Sequence, residues 1–177
     1  MDITEFFQQS VGKWFSQRTS HDINGNQSIT GQSDLWVEVI PVTDGAVVDL
    51  CQQHGVDVAT ALIGVQIRWE GKLDGQTQSH NGSTLWVAIA PDAQSRTGQL
   101  LRHHHDSTAL ETLSHYSLGA DDALTLTTET AAATTTERVW FESPSLRFRT
   151  SVIKQQDGTQ FGSFCSEIRM GGAKPSA

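Results

Sequence analysis

The sequence predicts an all-β sandwich or barrel with one short helix at its start. Three observations carry this. Helical spacing disappears after residue 12. From there to residue 170 the chain is a series of short runs rich in β-branched and aromatic residues. Those runs are cut at roughly 8 to 15-residue spacing by turn chemistry, as expected for sandwiches and barrels. The turn stretches are NGN, TDG, LDG, PDA, LGADD, SP and QDG.

The helix comes first. Asp2 as N-cap with Glu5 three residues on resembles a capping box. Ile3, Phe6, Phe7, Ser10, Val11 and Trp14 follow helical spacing, and Gly12 is a plausible stop. Candidate strands then run over 13–21, 35–40, 46–53, 62–70, 83–90, 99–105, 111–117, 123–129, 136–142, 145–154 and 162–170. The low-complexity stretch AAATTT at 131–136 predicts an exposed hairpin tip. Residues 1–170 are expected to form one domain, and the small, polar stretch 171–177 a disordered tail.

Composition excludes several function classes. The 177 residues carry a formal charge of −8, with no basic run longer than two residues. The electrostatic term that drives non-specific nucleic-acid binding is therefore missing. No apolar run approaches the ~20 residues needed to cross a bilayer. Cys51 and Cys165 are the only cysteines and show no zinc spacing. Two thiols in such a chain predict a reducing compartment, with one disulfide left open. The N-terminus has neither a basic n-region nor an apolar h-region, so a soluble intracellular protein is expected.

Gly12-Lys13-Trp14 lies between the helix and the first strand. A GxW there marks lipocalin-like barrels, in which the Trp plugs the closed end and an Arg near the C-terminus packs across it. Arg169, on the last candidate strand, is the natural cation–π partner of Trp14. Both roles would be structural.

Alternation organises the remaining candidates. Arg147, Arg149 and Ser151 share one face of their strand, and Leu146, Phe148, Thr150 and Val152 the other. The arginines face either water or a cavity that holds an anion; two on one face suit a carboxylate. Trp69 continues the face of Ile63, Val65 and Ile67, as core or as cavity wall. Glu167 shares a face with Ser163, Cys165 and Arg169, either solvated or paired with an arginine of the barrel. His103 and His105 share a strand face, with His115 or Asp106 as conceivable further ligands, but a solvated strand end explains them and no metal is expected. No GxSxG, HExxH or phosphate-binding glycine loop occurs, so no nucleophile of the chain's own stands out.

Longer segments carry a family resemblance. ERVWFESPSLRFRTSV at 137–152 resembles the ERIWFASPNLRLRTS signature of the S-type phycobiliprotein (bilin) lyases, the CpcS/CpeS/CpcU family. SFCSEIRM at 163–170 is similar to that family's closing strand, FFQQSVGKWFSQRTSH at 6–21 to its opening segment, and WEGKLDGQTQSHNGSTLWV at 69–87 to its middle. The segment HHHDSTALE at 103–111 diverges.

The resemblance implies a lipocalin-like, fatty-acid-binding-protein-like up-and-down barrel of about ten strands. It implies an enzyme that attaches a linear tetrapyrrole, such as phycocyanobilin or phycoerythrobilin, to the central cysteine of an apo-phycobiliprotein alpha or beta subunit. The bond is a thioether, and the bilin is substrate, with no nucleotide, metal or other cofactor. Arg18, Arg147 and Arg149 would bind propionate or lactam oxygens, Ser151 would add a hydrogen bond, and Trp69 would stack on the tetrapyrrole. Glu167, then Glu137, would stabilise the protonated pyrrole system. Trp140 is expected on the outer face or at a dimer contact. Where the family often carries a second Trp, this chain has Gly75, which implies a looser hold or another bilin. Homodimers, or heterodimers with a paralogous subunit, are implied as well. Location would be the cyanobacterial cytoplasm, alternatively the plastid stroma. The competing readings are a non-catalytic bilin, haem or fatty-acid carrier, and one subunit of a heteromeric lyase.

Overall fold

Ten antiparallel strands, alternating in side-chain direction apart from irregularities at Ala61–Ile63 and Phe141–Ser143, close into a barrel. The computed structural model describes residues 1–23, 25, 27–75, 78–91, 96–104 and 112–171. Helix α1 (Ile3–Ser10) comes first, followed by β1 (Gly12–Asp22) and β2 (Ser28–Ile40). Helix α2 (Gly45–Gln53) and a 3-10 turn (Val58–Thr60) then lead into β3 (Ala61–Leu73). The remaining strands are β4 (Ser79–Ile89), β5 (Thr97–His104), β6 (Thr112–Leu118), β7 (Leu124–Glu129), β8 (Ala133–Ser143), β9 (Leu146–Gln155) and β10 (Gln160–Met170). Each strand pairs with its sequence neighbour, and β10 returns to β1, so no edge is left unpaired.

The capping box forms as expected. The Asp2 carboxylate accepts from the Glu5 amide, and Glu5 accepts from the Asp2 amide. The apolar face of α1 then closes one end of the barrel. Phe6 meets Phe141 edge-on with centroids 5.3 Å apart, and Phe7 meets Trp86 at 6.1 Å. The Trp14 indole N–H donates to the Ser10 carbonyl at 2.8 Å, which ties the first strand to the helix.

One expected strand is a helix. Residues 46–53 fall in α2, whose Asp44 side chain caps the Ala46 amide at 2.9 Å. Val47, Leu50 and Cys51 stand at helical spacing and are fully buried against Leu85, Val87, Ile89 and Leu101. This is an outer face of the barrel. It explains why β4 is apolar on both sides: Trp86 and Ala88 face inward while α2 covers their neighbours. By contrast β7, with no helix on it, alternates between buried and half-buried residues.

Further boundaries differ: β3 runs on to Leu73 and β4 starts at Ser79, beyond the expected 62–70 and 83–90. Strand β2 begins at Ser28, well before the apolar stretch that marks it, because 28–34 pairs with β1 on one side and its later half with β3 on the other. Of the stretch 131–136, Thr134, Thr135 and Thr136 pair with Glu129, Thr128 and Thr127, and only the turn before Ala133 is a tip. The expected tail beyond residue 171, together with His105 and Asp106, lies outside the described residues.

Candidate functional site

The β9 alternation resolves toward the inside. Arg147 is 7 % exposed and lines the interior hollow with Arg149, whereas Phe148 packs outside between Trp140 and Phe164. Trp140 therefore stands on the outer face.

Register brings the chosen residues into lateral rows across β1, β10, β9 and β8. Ser16, Glu167, Arg147 and Phe141 form one row. Arg18, Cys165, Arg149 and Val139 form the next, and Ser20, Ser163, Ser151 and Glu137 the third. Residues scattered over the sequence thus become neighbours at the ~4.8 Å strand spacing.

Glu167 is the hub. It is 1 % exposed and pairs with Arg147 Nε through one oxygen and with Arg149 Nη2 through the other, at 3.2 Å. Ser16 Oγ adds a long contact of 3.5 Å. Burial alone would push the Glu167 carboxyl up; the charges of Arg147 and Arg149 outweigh it and hold the group below its ordinary value. Glu167 is therefore an ionised strut between two guanidinium groups.

Trp14 carries two arginines. Arg169 lies 4.2 Å from its ring centroid and Arg147 lies 4.4 Å away. Arg169 also donates to the carbonyls of Pro144, Val11 and Gln9, which binds the end of β10 to the α1–β1 turn. Gly12 sits there at φ +127°, and a Cβ on it would come within 2.9 Å of the Arg169 guanidinium. The aromatic plug thus joins the closed end to the interior charges.

Three adjoining hollows of ≈ 280, ≈ 310 and ≈ 200 Å³ run through the barrel and share Arg18 and Arg149. The first is walled by Phe6, Phe7, Leu35, Val37, Ile67 and Trp69. Trp69 also borders the second; Glu137 and Ser151 border the third. Trp69 packs on Gly82, where any side chain would run into its ring.

Sequence reasoning missed Arg102 and Trp86. Arg102 reaches from β5 to Glu137 on β8, with Nη2 3.0 Å from Oε2, and its guanidinium lies 4.4 Å from the Trp86 ring centroid. Its strand carries apolar residues on both faces, Leu100 and Leu101, so alternation could not tell inside from outside. Counting Arg18, Arg102, Arg147 and Arg149 against Glu137 and Glu167, the first and third hollows hold four arginines and two glutamates, a formal surplus of +2 in a chain of −8, and the second adds Lys72. Such an interior suits an elongated, largely apolar ligand with more than one anionic group.

Comparison with known proteins agrees with this geometry. The family model described as CpeS-like protein matches residues 2–170. A chromophore lyase CpcS/CpeS of Thermosynechococcus vestitus is 43 % identical over 99 % of this chain and 97 % of its own length. A phycocyanobilin lyase subunit CpcS of Picosynechococcus is 36 % identical, covering 96 % of this chain and 86 % of its own. The solved S-type phycobiliprotein lyase CPES of Guillardia theta superposes with a TM-score of 0.87 at 30 % identity, over 98 % of this chain and 95 % of that one.

Proposed function

The chain belongs to the CpeS-like family, and we propose that it is a chromophore lyase that binds a bilin inside the barrel and attaches it to a phycobiliprotein cysteine. The observation that carries this reading is the cationic surplus behind apolar walls. A linear tetrapyrrole is a long, largely apolar molecule with two propionates, and its charge complements the surplus.

In this reading Arg18 and Arg149, which border all three hollows, bind a propionate or a lactam oxygen, and Arg147 is held against Glu167 to support them. Trp69 walls the pyrrole plane, and Ser151 adds a hydrogen bond. The acceptor thiolate adds to the exocyclic ethylidene carbon of ring A. A carbon–sulfur bond forms, the carbon–carbon π bond breaks, and the ring takes up the proton. No electrons are gained or lost, so no redox cofactor is required. Glu167 and Glu137 stabilise the protonated pyrrole system that makes the ethylidene electrophilic. Holding the bilin in one pose exposes one face to the thiol.

No helix among the described residues is long and apolar enough to cross a membrane. We place the protein in the cytoplasm of a cyanobacterium, as the source organisms of its relatives suggest. A second copy or a paralogue fits the outer face of β9 and β10, where Phe164, Ile168 and Met170 are each nearly half exposed. Replacing Phe164 and Ile168 by Glu and measuring mass by ultracentrifugation tests that contact: an unchanged mass removes it.

The testing experiment mixes the chain with phycocyanobilin or phycoerythrobilin and then with apo-phycobiliprotein subunits. Pigment that survives denaturation on the central cysteine, formed faster than without the chain, is the expected result. Tight binding with no transfer would favour a carrier or one subunit of a two-part lyase. One relative is itself named a lyase subunit.

A further inference from the structure

We infer that Arg102 is a second carboxylate-binding residue of the barrel, and that Glu137 is a placeholder which a ligand carboxylate displaces from it. The inference rests on the bilin reading and extends it to a further arginine of the same hollow. Arg102 is on β5, five strands from the Glu167 strand in either direction round the ten-strand barrel. Its guanidinium reaches over to Glu137 on β8, the strand paired with that of Arg149, and lines the first hollow together with Arg18 and Arg149, so a molecule anchored at those two arginines meets Arg102 along the same hollow.

Three features mark the site as built for an acceptor. Arg102 gives Glu137 only Nη2, and its Nη1 has just a 3.5 Å contact with Thr128. Its Nε is buried without an acceptor, so one edge of the fork that pairs with carboxylates is vacant. Trp86 Nε1 is also buried without an acceptor, and it belongs to the ring on which Arg102 stacks. Orphaned buried donors cost free energy that a ligand oxygen would recover. The stack on Trp86 meanwhile fixes the guanidinium plane, so a carboxylate arriving at the Nε edge finds it already oriented. Glu137, once released, faces the lumen as an unpaired carboxylate, placed to accept from pyrrole N–H groups.

The test compares phycocyanobilin with its dimethyl ester, which keeps the tetrapyrrole and removes both negative charges. Dissociation constants are measured by absorbance titration for the full chain, Arg102→Met, the charge-balanced double variant Arg102→Met/Glu137→Gln, and Arg149→Met. The double variant leaves no unpaired Glu137 and guards against misfolding, which circular dichroism checks. Expected is a loss of about 10-fold for the diacid in both Arg102 variants, little loss for the diester in Arg102→Met, and in the double variant a diester loss smaller than the diacid loss, from the missing Glu137 carboxylate. Equal losses for both ligands would make Arg102 a wall residue and overturn the inference. So would unchanged diacid binding in the Arg102 variants. If Arg149→Met alone then weakens the diacid, the bilin reading stands and only this site falls. No saturable binding by the parent chain would overturn both.

Discussion

Glu167 faces Arg147 directly across the β10–β9 ladder, and their two buried side chains form an ion pair. Such a pair returns little net stability against two neutral partners, but cutting one side leaves a charge buried and uncompensated. Here it would also take the same carboxylate from Arg149, whose side chain is 34 % exposed and so can turn to solvent.

Replacing Glu167 by Ala should therefore destabilise the barrel by about 3–5 kcal/mol. Urea unfolding followed by tryptophan fluorescence measures this. A loss below about 1 kcal/mol would mean that the pair is solvated in solution, as surface pairs are.

The same pair sets an acid limit. The folded carboxyl of Glu167 lies below its unfolded value because, against burial, two guanidinium charges hold it ionised. In the unfolded chain the same carboxyl titrates at about 4.3, so the unfolded state binds more protons in the interval between the two values. The contribution is complete above the unfolded value and is lost as pH falls through the folded one. Unfolding free energies of the parent and Glu167→Gln should therefore converge as pH drops from about 6 toward 3. A gap that stays constant over that range would place the depression elsewhere.

Arg169 should be separable from ligand binding. Arg169→Ala removes the stack on Trp14 and the bonds to Pro144, Val11 and Gln9, so about 2–4 kcal/mol of stability should be lost. Bilin stoichiometry at saturating ligand should stay unchanged below the melting transition. A loss of binding sites in the folded variant would contradict the structural role.

Trp69 is tested from behind. Gly82→Ala puts a methyl group into the space of the Trp69 ring and must tilt it toward the lumen or outward. Bilin affinity should fall several-fold, on the order of 1 kcal/mol, with the circular dichroism spectrum retained. Trp69→Ala should fall further. Unchanged affinity in both would remove Trp69 from the bilin wall.

Arg18 has no carboxylate partner among the described residues, yet it borders all three hollows. Arg18→Met should weaken bilin binding by about 10-fold or more at little cost in stability, since a charge-assisted hydrogen bond is worth roughly 1.5–3 kcal/mol. A stability loss with intact binding would reverse that assignment.

Much of the fold is legible in the chain alone. The capping box at Asp2 and Glu5, the GxW motif and the period-two runs from β3 to β10 each rest on interactions between near neighbours. The segment 46–53 shows the limit. Val47, Val48, Leu50 and Cys51 are apolar enough for a strand, and only the Asp44 cap and the spacing of Val47, Leu50 and Cys51 mark a helix. Burial against β4 and β5 then completes it.

By itself, the sequence determined that Arg147, Arg149 and Ser151 share a face, because alternation is a property of a single strand. It also carried the long motifs that place the chain in its family. Which way that face points was decided by closure of the barrel, since only the joining of β10 to β1 gives the sheet an inside. Tertiary structure likewise decided that Glu167 lies between two arginines and that Arg102 reaches Glu137. Those contacts join residues 20 and 35 positions apart, and the energy of a buried charge depends on what surrounds it in space.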